Sequence, residues 1–130
     1  MDVQKLKKGY NGYLLSDTGR DQLLVHVEPI HPDVVAHHIT YEHGIYQELP
    51  PECDSVRVIA VAANEKVQAV IVKVNGTTAR PNGGTYHITI SLDKSAGAKA
   101  VDSNELISNS KNWTAVDPFN IDVTPMFFPF

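Results

Sequence analysis

Two segments of the sequence contain the same three residues in the same order. The first is His38-Ile39-Thr40 and the second is His87-Ile88-Thr89. Both lie in stretches with the composition of β-strands, in which successive side chains point to opposite faces. Each histidine therefore shares a face with its threonine, and each isoleucine points the other way. If the two strands lie close together with these faces aligned, two imidazoles and two hydroxyls line one cleft while the isoleucines anchor the core.

Two imidazoles and two hydroxyls suit the hydrolysis of a phosphodiester without a metal ion. An imidazole has a pKa near 6.5, so at neutral pH one histidine can act as the base while the other acts as the acid. Each such proton transfer is typically worth about 10²–10⁴-fold in rate. The threonine hydroxyls can donate hydrogen bonds to the non-bridging phosphoryl oxygens. The pattern does not say which histidine is the base, and the plainer interpretation is a coincidence of two strand histidines and two threonines.

The repeated motif resembles that of the 2H phosphoesterase superfamily, which has two His-x-Thr or His-x-Ser motifs with an apolar central residue. The superfamily includes the LigT-like RNA cyclic phosphodiesterases and the cyclic phosphodiesterase domain of fungal and plant tRNA ligases. The likeness extends from Tyr13-Leu14-Leu15 and His31-Pro32 before the first motif to Ser95-Ala96-Gly97 and Asn104-Glu105-Leu106 after the second. It covers roughly residues 9–107. The motifs are closer together here than in many members, which predicts a more open cleft.

The resemblance implies a compact, bilobal α+β fold with a mostly antiparallel sheet around a central cleft. It implies hydrolysis of the 2′,3′-cyclic phosphate of RNA ends or nucleotides, commonly leaving a 2′-phosphate, with His38, Thr40, His87 and Thr89 as the catalytic residues. Some viral members of the superfamily open cyclic dinucleotide or oligonucleotide signals, and this activity is the alternative within the enzyme class. The alternative from another class is a module that binds a nucleotide or RNA end without catalysis.

Four further residues are predicted to contact the substrate. His43 follows the first motif and can reach the rim of the cleft, and Ser91 continues the face of the second motif. Lys94 is the cation nearest to the second motif, and Tyr13 is the best-placed ring for stacking on a base. For Tyr13, packing in the core is an equally good interpretation.

The remaining histidines are expected to have no catalytic role. His37 precedes the motif histidine, so in a regular strand it faces away from His38 and is packed or hydrogen-bonded elsewhere. The sequence contains enough ligand types for a metal site by count, but no His-x-x-x-His helix pair, and no metal or other cofactor is predicted. The residues considered for such a site are His31, Asp33, His37, His38, Glu42 and His43.

Composition limits the partners and the compartment. The 130 residues predict a single domain over 1–130. With 11 basic and 15 acidic residues the net charge is −4, which does not favour duplex DNA but allows a small basic pocket for one phosphate of a nucleotide or RNA end. The single cysteine, Cys53, cannot form an internal disulfide. The longest apolar run, 58–63, is far shorter than the roughly 20 residues that span a bilayer, and the sequence does not begin like a signal peptide. We expect no membrane partner and a cytoplasmic protein, in its own cell or, if viral, in a host.

The elements expected to position these residues are mostly strands. Alternation and β-branched residues predict strands at 10–15, 34–41, 56–63, 67–74, 85–92 and 119–124. Capping residues predict a helix at 17–27, and 101–108 is expected to form a short helix at most. The pair 56–63 and 67–74 is typical of a hairpin. Residues 126–130 contain three aromatic rings, which are expected to dock on the core or, alternatively, to form an oligomer contact.

Overall fold

The structure, a computed structural model, describes residues 6–53 and 55–130. Within these residues, seven strands and two helices follow one another along the chain. They are β1 (Lys8–Leu15), α1 (Asp17–His26), β2 (Asp33–Val34), β3 (His38–Tyr46), β4 (Ser55–Ala63), β5 (Val67–Lys73), β6 (His87–Leu92), α2 (Asp102–Ser108) and β7 (Thr114–Pro129). Short 3₁₀ turns at Lys94–Ala96 and Ser110–Asn112 flank α2.

These strands form one sheet in the order β2-β6-β5-β4-β7-β1-β3. Each neighbouring pair is antiparallel. The predicted hairpin is present as β4 and β5, and its turn is closed by the side-chain oxygen of Asn64, which accepts from the backbone N–H groups of Lys66 and Val67. The predicted α+β class with a mostly antiparallel sheet is therefore confirmed.

The longest strand, β7, joins the two halves of the sheet. Residues 114–122 pair with β4, and residues 123–129 pair with β1. The sequence predicted a strand only at 119–124, the stretch between Pro118 and Pro125, and proline cannot donate to a strand ladder. The first of them, Pro118, lies where the register between β4 and β7 shifts, so its missing N–H is accommodated there. Residues 126–130, expected to dock on the core, continue alongside β1.

The segment predicted as one strand over 34–41 is instead divided between two parts of the sheet. β2 pairs with β6, and the chain leaves it through Ala36, whose φ of +43° is a left-handed conformation that alanine rarely adopts. The N–H of Ala36 donates to the carbonyl of Thr89 at 2.9 Å, and the carbonyl of His37 accepts from the N–H of Leu15 at 3.0 Å. This short crossing ties β6 to β1. The sheet curls accordingly, and β3 at one edge contacts β6 near the other.

The core explains how β1 and β3 can lie so close together. Both motif isoleucines, Ile39 and Ile88, are fully buried in the main hydrophobic cluster, as the alternation predicted. On β1, Gly12 pairs with Thr40, and a Cβ atom on Gly12 would overlap the carbonyl oxygen of Ile39. The absence of a side chain at this position therefore lets β3 pair tightly with β1, and β3 carries the first motif.

The two helices cover opposite parts of the sheet. α1 begins at the N-cap Ser16, whose hydroxyl accepts from the N–H of Gly19 at 2.9 Å, and it packs on β7. α2 packs on β5 and β4 and buries Leu106 and Ile107 in a second hydrophobic cluster. Both helices fall within one residue of their predicted bounds. In the part of the chain that the structure describes, neither helix has the length and apolar character needed to cross a membrane.

Candidate active site

A cavity of about 390 Å³ opens between β3 and β6. His38 and Thr40 line it from β3, and His87 and Thr89 line it from β6. The four motif residues, far apart in the sequence, therefore share one cavity, as the strand pattern predicted. The other residues that line it are Val35, His43, Arg80, Ala100, Val101 and Asn104.

His87 has a defined tautomer. Its Nδ1 lies 2.8 Å from the carbonyl oxygen of Thr85, and because a carbonyl can only accept, Nδ1 carries a hydrogen. In the neutral ring the lone pair is therefore on Nε2. Burial lowers the pKa of His87, the bond to Thr85 opposes that shift, and the nearby Arg80 cation lowers the pKa further. At neutral pH His87 is consequently a neutral imidazole whose Nε2 can accept a proton.

His38 has a different environment. Burial, His37 and His87 all lower its pKa, to about 4, because each disfavours the imidazolium form. Its Nδ1 lies 2.9 Å from Nδ1 of His37, so one of these two nitrogens carries a hydrogen and the other accepts it. The hydrogen bond occupies Nδ1 of His38 and leaves Nε2 available to a ligand in the cavity.

The expectation that His37 faces away from His38 is wrong. It assumed a regular strand through both residues, but β3 begins only at His38, and the positive φ of Ala36 turns the chain just before it. The two rings instead meet edge to face, with centroids 5.1 Å apart, and His37 remains exposed to solvent. The pair thus connects the solvent with a histidine of the cavity.

The two threonines differ in their surroundings. Thr40 is half-buried and lines the cavity. The hydroxyl of Thr89 lies 2.8 Å from the hydroxyl of Ser103 and 3.5 Å from the carbonyl of Ala100. Ser103 is fully buried on α2. The carbonyl of Ala100 can only accept, so the Thr89 hydroxyl donates in that long contact, and between Thr89 and Ser103 either hydroxyl can be the donor.

Arg80 is the functional candidate that sequence reasoning missed. It lies between β5 and β6, where no motif or periodicity placed it, yet its side chain lines the cavity. Its Nε donates to the carbonyl of Tyr41 at 3.4 Å, and Gly84 leaves space for the guanidinium, since a Cβ there would approach it to 3.1 Å. Burial lowers its pKa, but an arginine in a protein stays charged. The available signal was an arginine at the start of the Pro-Asn-Gly-Gly turn that leads into the second motif.

Of the four predicted substrate contacts, only His43 lines the cavity. Tyr13 is fully buried, and its hydroxyl donates to the carbonyl of Pro51 at 2.9 Å. Ser91 is also fully buried, because Gln68 and the backbone of His31 cover its side of β6 and bind its hydroxyl at 2.6 and 3.2 Å. Lys94 lies beyond the end of β6 in an exposed 3₁₀ turn. These three side chains are therefore outside the cavity.

An aromatic shelf borders the cavity on the side of β3. We define it as Tyr10, His43, Phe128 and Phe130. Tyr10 stacks on Phe128 with centroids 4.8 Å apart and on His43 at 6.0 Å, and the ring of His43 is 5.0 Å from that of Phe130. His43 belongs to both the shelf and the cavity lining, and the side chain of Phe130 is 70% exposed. The shelf therefore offers open ring surface beside the motif residues.

A metal site is a further possibility for the histidines around the cavity. Within residues 6–53 and 55–130, no group of three or more His, Cys, Asp or Glu side chains is arranged to hold a metal ion. The cavity instead combines two imidazoles, two hydroxyls and a guanidinium.

No protein-family model, no curated protein and no solved structure matches the chain.

Proposed function

We propose that the protein is a metal-independent phosphodiesterase that hydrolyses a cyclic phosphodiester, the 2′,3′-cyclic phosphate of an RNA end or nucleotide. The observation that carries the proposal is the convergence of His38, Thr40, His87 and Thr89 on one cavity from two strands that are not neighbours in the sheet. In this proposal the strands on either side of the cavity correspond to the two lobes of a 2H phosphoesterase-like fold. The proposed compartment in which the protein acts is the cytoplasm.

The proposed base is His87. Its Nδ1 hydrogen is committed to the carbonyl of Thr85, so the neutral ring has its lone pair on Nε2. Nε2 accepts a proton from the attacking water as the new bond from oxygen to phosphorus forms. The lowered pKa of His87 keeps this nitrogen unprotonated at neutral pH.

The proposed acid is His38. Its Nε2 donates a proton to the ribose oxygen as the bond between that oxygen and phosphorus breaks. The products are a ribose hydroxyl and a phosphomonoester. The choice of His38 follows from its Nδ1, which is hydrogen-bonded to another imidazole and can be supplied with a proton from it.

Three groups are proposed to hold the phosphoryl oxygens. The hydroxyls of Thr40 and Thr89 donate to the non-bridging oxygens, and the Arg80 guanidinium balances their negative charge. Arg80 supplies local positive charge in a chain whose net charge is −4. This arrangement fits one phosphate group rather than the long anionic surface of a duplex.

The aromatic shelf supports a nucleotide as the substrate class. Rings bind single-stranded bases by stacking, which is worth roughly 1–3 kcal/mol per base. His43 connects the shelf to the cavity, so a base stacked there can remain attached to a phosphate among the motif residues. A cavity of about 390 Å³ is within the usual range for small-molecule sites, which begins at roughly 300 Å³.

The test is incubation of the purified chain, with EDTA present, with four groups of compounds. These are 2′,3′-cyclic mononucleotides, an oligoribonucleotide ending in a 2′,3′-cyclic phosphate, 3′,5′-linked cyclic dinucleotides and a 3′,5′-cyclic mononucleotide. Mass spectrometry and phosphorus NMR follow the products, and a variant carrying both His38→Gln and His87→Gln is the blank. We expect the 2′,3′-cyclic phosphates to open to monoesters with the wild type only.

Three other results would contradict this proposal. Turnover restricted to cyclic dinucleotides would move the substrate to cyclic signalling molecules. Binding of the nucleotides without any turnover would identify a binding module. Equal turnover by the double variant would show that His38 and His87 do not perform the chemistry.

Arg80 provides a separate prediction. Arg80→Gln is expected to raise KM for a 2′,3′-cyclic mononucleotide about 10- to 100-fold, since a hydrogen bond to a charged group is worth roughly 1.5–3 kcal/mol. The KM of Arg80→Lys should lie between those of the wild type and Arg80→Gln, because lysine keeps the positive charge but not the planar guanidinium that binds with two N–H groups. The matched control is Arg57→Gln, an exposed arginine on β4 outside the cavity. Steady-state kinetics measures the effect, and an unchanged KM in Arg80→Gln would remove Arg80 from the site.

A further inference from the structure

Two imidazoles that are adjacent in sequence share a hydrogen bond beside the cavity. Neighbouring side chains of a regular strand point to opposite faces, so such a contact requires an irregular backbone. Here Ala36 supplies it with its positive φ, and the backbone is held on both sides by Ala36 N–H to Thr89 and Leu15 N–H to His37. His37 and His38 are therefore brought together by tertiary hydrogen bonds rather than by a flexible loop.

The hydrogen bond joins nitrogens of the same kind. Nδ1 of His37 and Nδ1 of His38 are 2.9 Å apart, and either one can be the donor. A proton can thus lie on one ring or the other without movement of heavy atoms. His37 is exposed, whereas His38 is half-buried and lines the cavity. The pair forms a path for a proton between an exposed ring and the cavity.

The surroundings of the pair determine where the proton is held. Tyr10 from β1 and Phe128 from β7 face His38 at ring distances of 5.3 and 5.2 Å, and Phe128 also faces His37 at 5.9 Å. His87 acts on His38 from β6, and it too disfavours a positive charge on His38. Because burial and both neighbouring imidazoles lower the pKa of His38, this ring is a poor store for a second proton at neutral pH.

We propose that His37 is a proton relay that passes its Nδ1 proton to His38 during each turnover, an inference that rests on the proposed function. As the bond from phosphorus to the ribose oxygen breaks, the Nε2 proton of His38 passes to that oxygen, and the Nδ1 proton of cationic His37 passes to Nδ1 of His38. His37 becomes neutral, the ribose leaves as a hydroxyl, and His38 stays neutral with its hydrogen moved from Nε2 to Nδ1. Afterwards solvent reprotonates Nε2 of His38, the Nδ1 proton returns to His37, and His87 releases to solvent the proton it took from water.

The kinetic test compares His37→Gln and His37→Ala with the wild type on a 2′,3′-cyclic mononucleotide. Glutamine can still hydrogen-bond to His38 but cannot exchange protons, so we expect kcat to fall about 10- to 100-fold with KM little changed. The alkaline limb of the pH–rate profile should shift in both variants. Added imidazole should restore His37→Ala in proportion to its concentration, and it should have no effect on His37→Gln. His26→Gln, an exposed histidine on α1, is the control.

Nitrogen NMR of the imidazoles tests the relay even if no substrate is turned over. In the wild type, His37 and His38 should titrate as a coupled pair, with each curve responding to the other. In His37→Gln the pKa of His38 should rise, because a neighbouring positive charge is lost. If the two rings titrate as a coupled pair but the protein opens no cyclic phosphate, the proposed function is refuted, whereas the sharing of a proton between His37 and His38 is supported.

Two results overturn the relay. One is independent titration of the two rings, with His38 unchanged in His37→Gln. The other is wild-type kcat and an unshifted pH profile in both His37 variants of an active enzyme, without rescue by imidazole. Circular dichroism of each variant excludes loss of the fold as the cause of a lower kcat, and His37→Gln serves where His37→Ala does not fold.

Discussion

Replacing either cavity histidine by glutamine is expected to lower kcat by about 10²–10⁴-fold, the usual contribution of one positioned proton-transfer group. Glutamine has nearly the size of histidine and can form hydrogen bonds, but it cannot take or give a proton at neutral pH. In His87→Gln the water loses its base, and in His38→Gln the ribose oxygen must leave without a proton. The measurement is single-turnover hydrolysis of a 2′,3′-cyclic mononucleotide, which separates chemistry from product release.

The pH profile distinguishes the two roles. The base must be unprotonated, so activity is lost as pH falls through the pKa of His87, which burial holds below its ordinary value of about 6.5. The acid limb of kcat/KM should therefore lie below about pH 6.5 in the wild type and disappear in His87→Gln. It should persist in His38→Gln, and the opposite result would exchange the two roles.

A double variant and a matched control complete this experiment. Residues that act as one unit are strongly non-additive, so the double variant should be about as slow as the slower single variant. The control is His31→Gln, because His31 lies outside the cavity and bonds through Nε2 to the carbonyl of Asn64. Wild-type kcat in His38→Gln or in His87→Gln would be incompatible with a two-histidine mechanism.

The motif itself could be predicted from the sequence because it depends on a local rule. Side chains alternate along a strand, so Ile39 and Ile88 had to face the core if their flanking residues faced a cleft. Both are fully buried. The contact between β3 and β6 does not follow from a local rule. The two strands lie near opposite edges of the sheet and approach each other because the sheet curls.

The parts that could not be predicted depend on tertiary contacts. Nothing in the sequence from Val34 to Tyr41 signals that Ala36 adopts a positive φ. Two hydrogen bonds to other strands impose this conformation, one from the N–H of Ala36 to the carbonyl of Thr89 and one from the N–H of Leu15 to the carbonyl of His37. The contact between His37 and His38 follows from that turn. Arg80 was similarly hidden, because a loop residue has no periodicity from which its direction can be read.

The face on which a strand residue lies also does not determine whether that residue reaches the cavity. Ser91 was expected in the cleft because it shares the face of Thr89, two residues away. Past Thr89, however, this face is covered by Gln68 and by the chain at His31, so the hydroxyl is buried. Alternation predicts the side of a strand, but it cannot predict which neighbour lies on that side.

The same burial that suits His38 to its role is expected to make the protein sensitive to acid. The pKa of His38 is about 4 in the folded chain and near 6.5 in the unfolded chain. Between these values the unfolded chain takes up a proton that the folded chain does not, so the free energy of unfolding decreases as pH falls from about 6.5 to about 4. The difference in pKa corresponds to at most about 3 kcal/mol, and His87 adds to it in the same direction.

Urea unfolding at a series of pH values, followed by the fluorescence of half-buried Trp113, measures this loss. His38→Gln should give a shallower dependence of unfolding free energy on pH in that window, whatever its stability at neutral pH. Asp93→Asn is the control, because hydrogen bonds from Ser95 lower the pKa of the Asp93 carboxyl and it therefore titrates below the window. Identical slopes for wild type and His38→Gln would mean that His38 is protonated in the fold as readily as in the unfolded chain. The reason for placing the stored proton on His37 rather than on His38 would then be lost, so a stability measurement on the free protein bears directly on the mechanism proposed for the cavity.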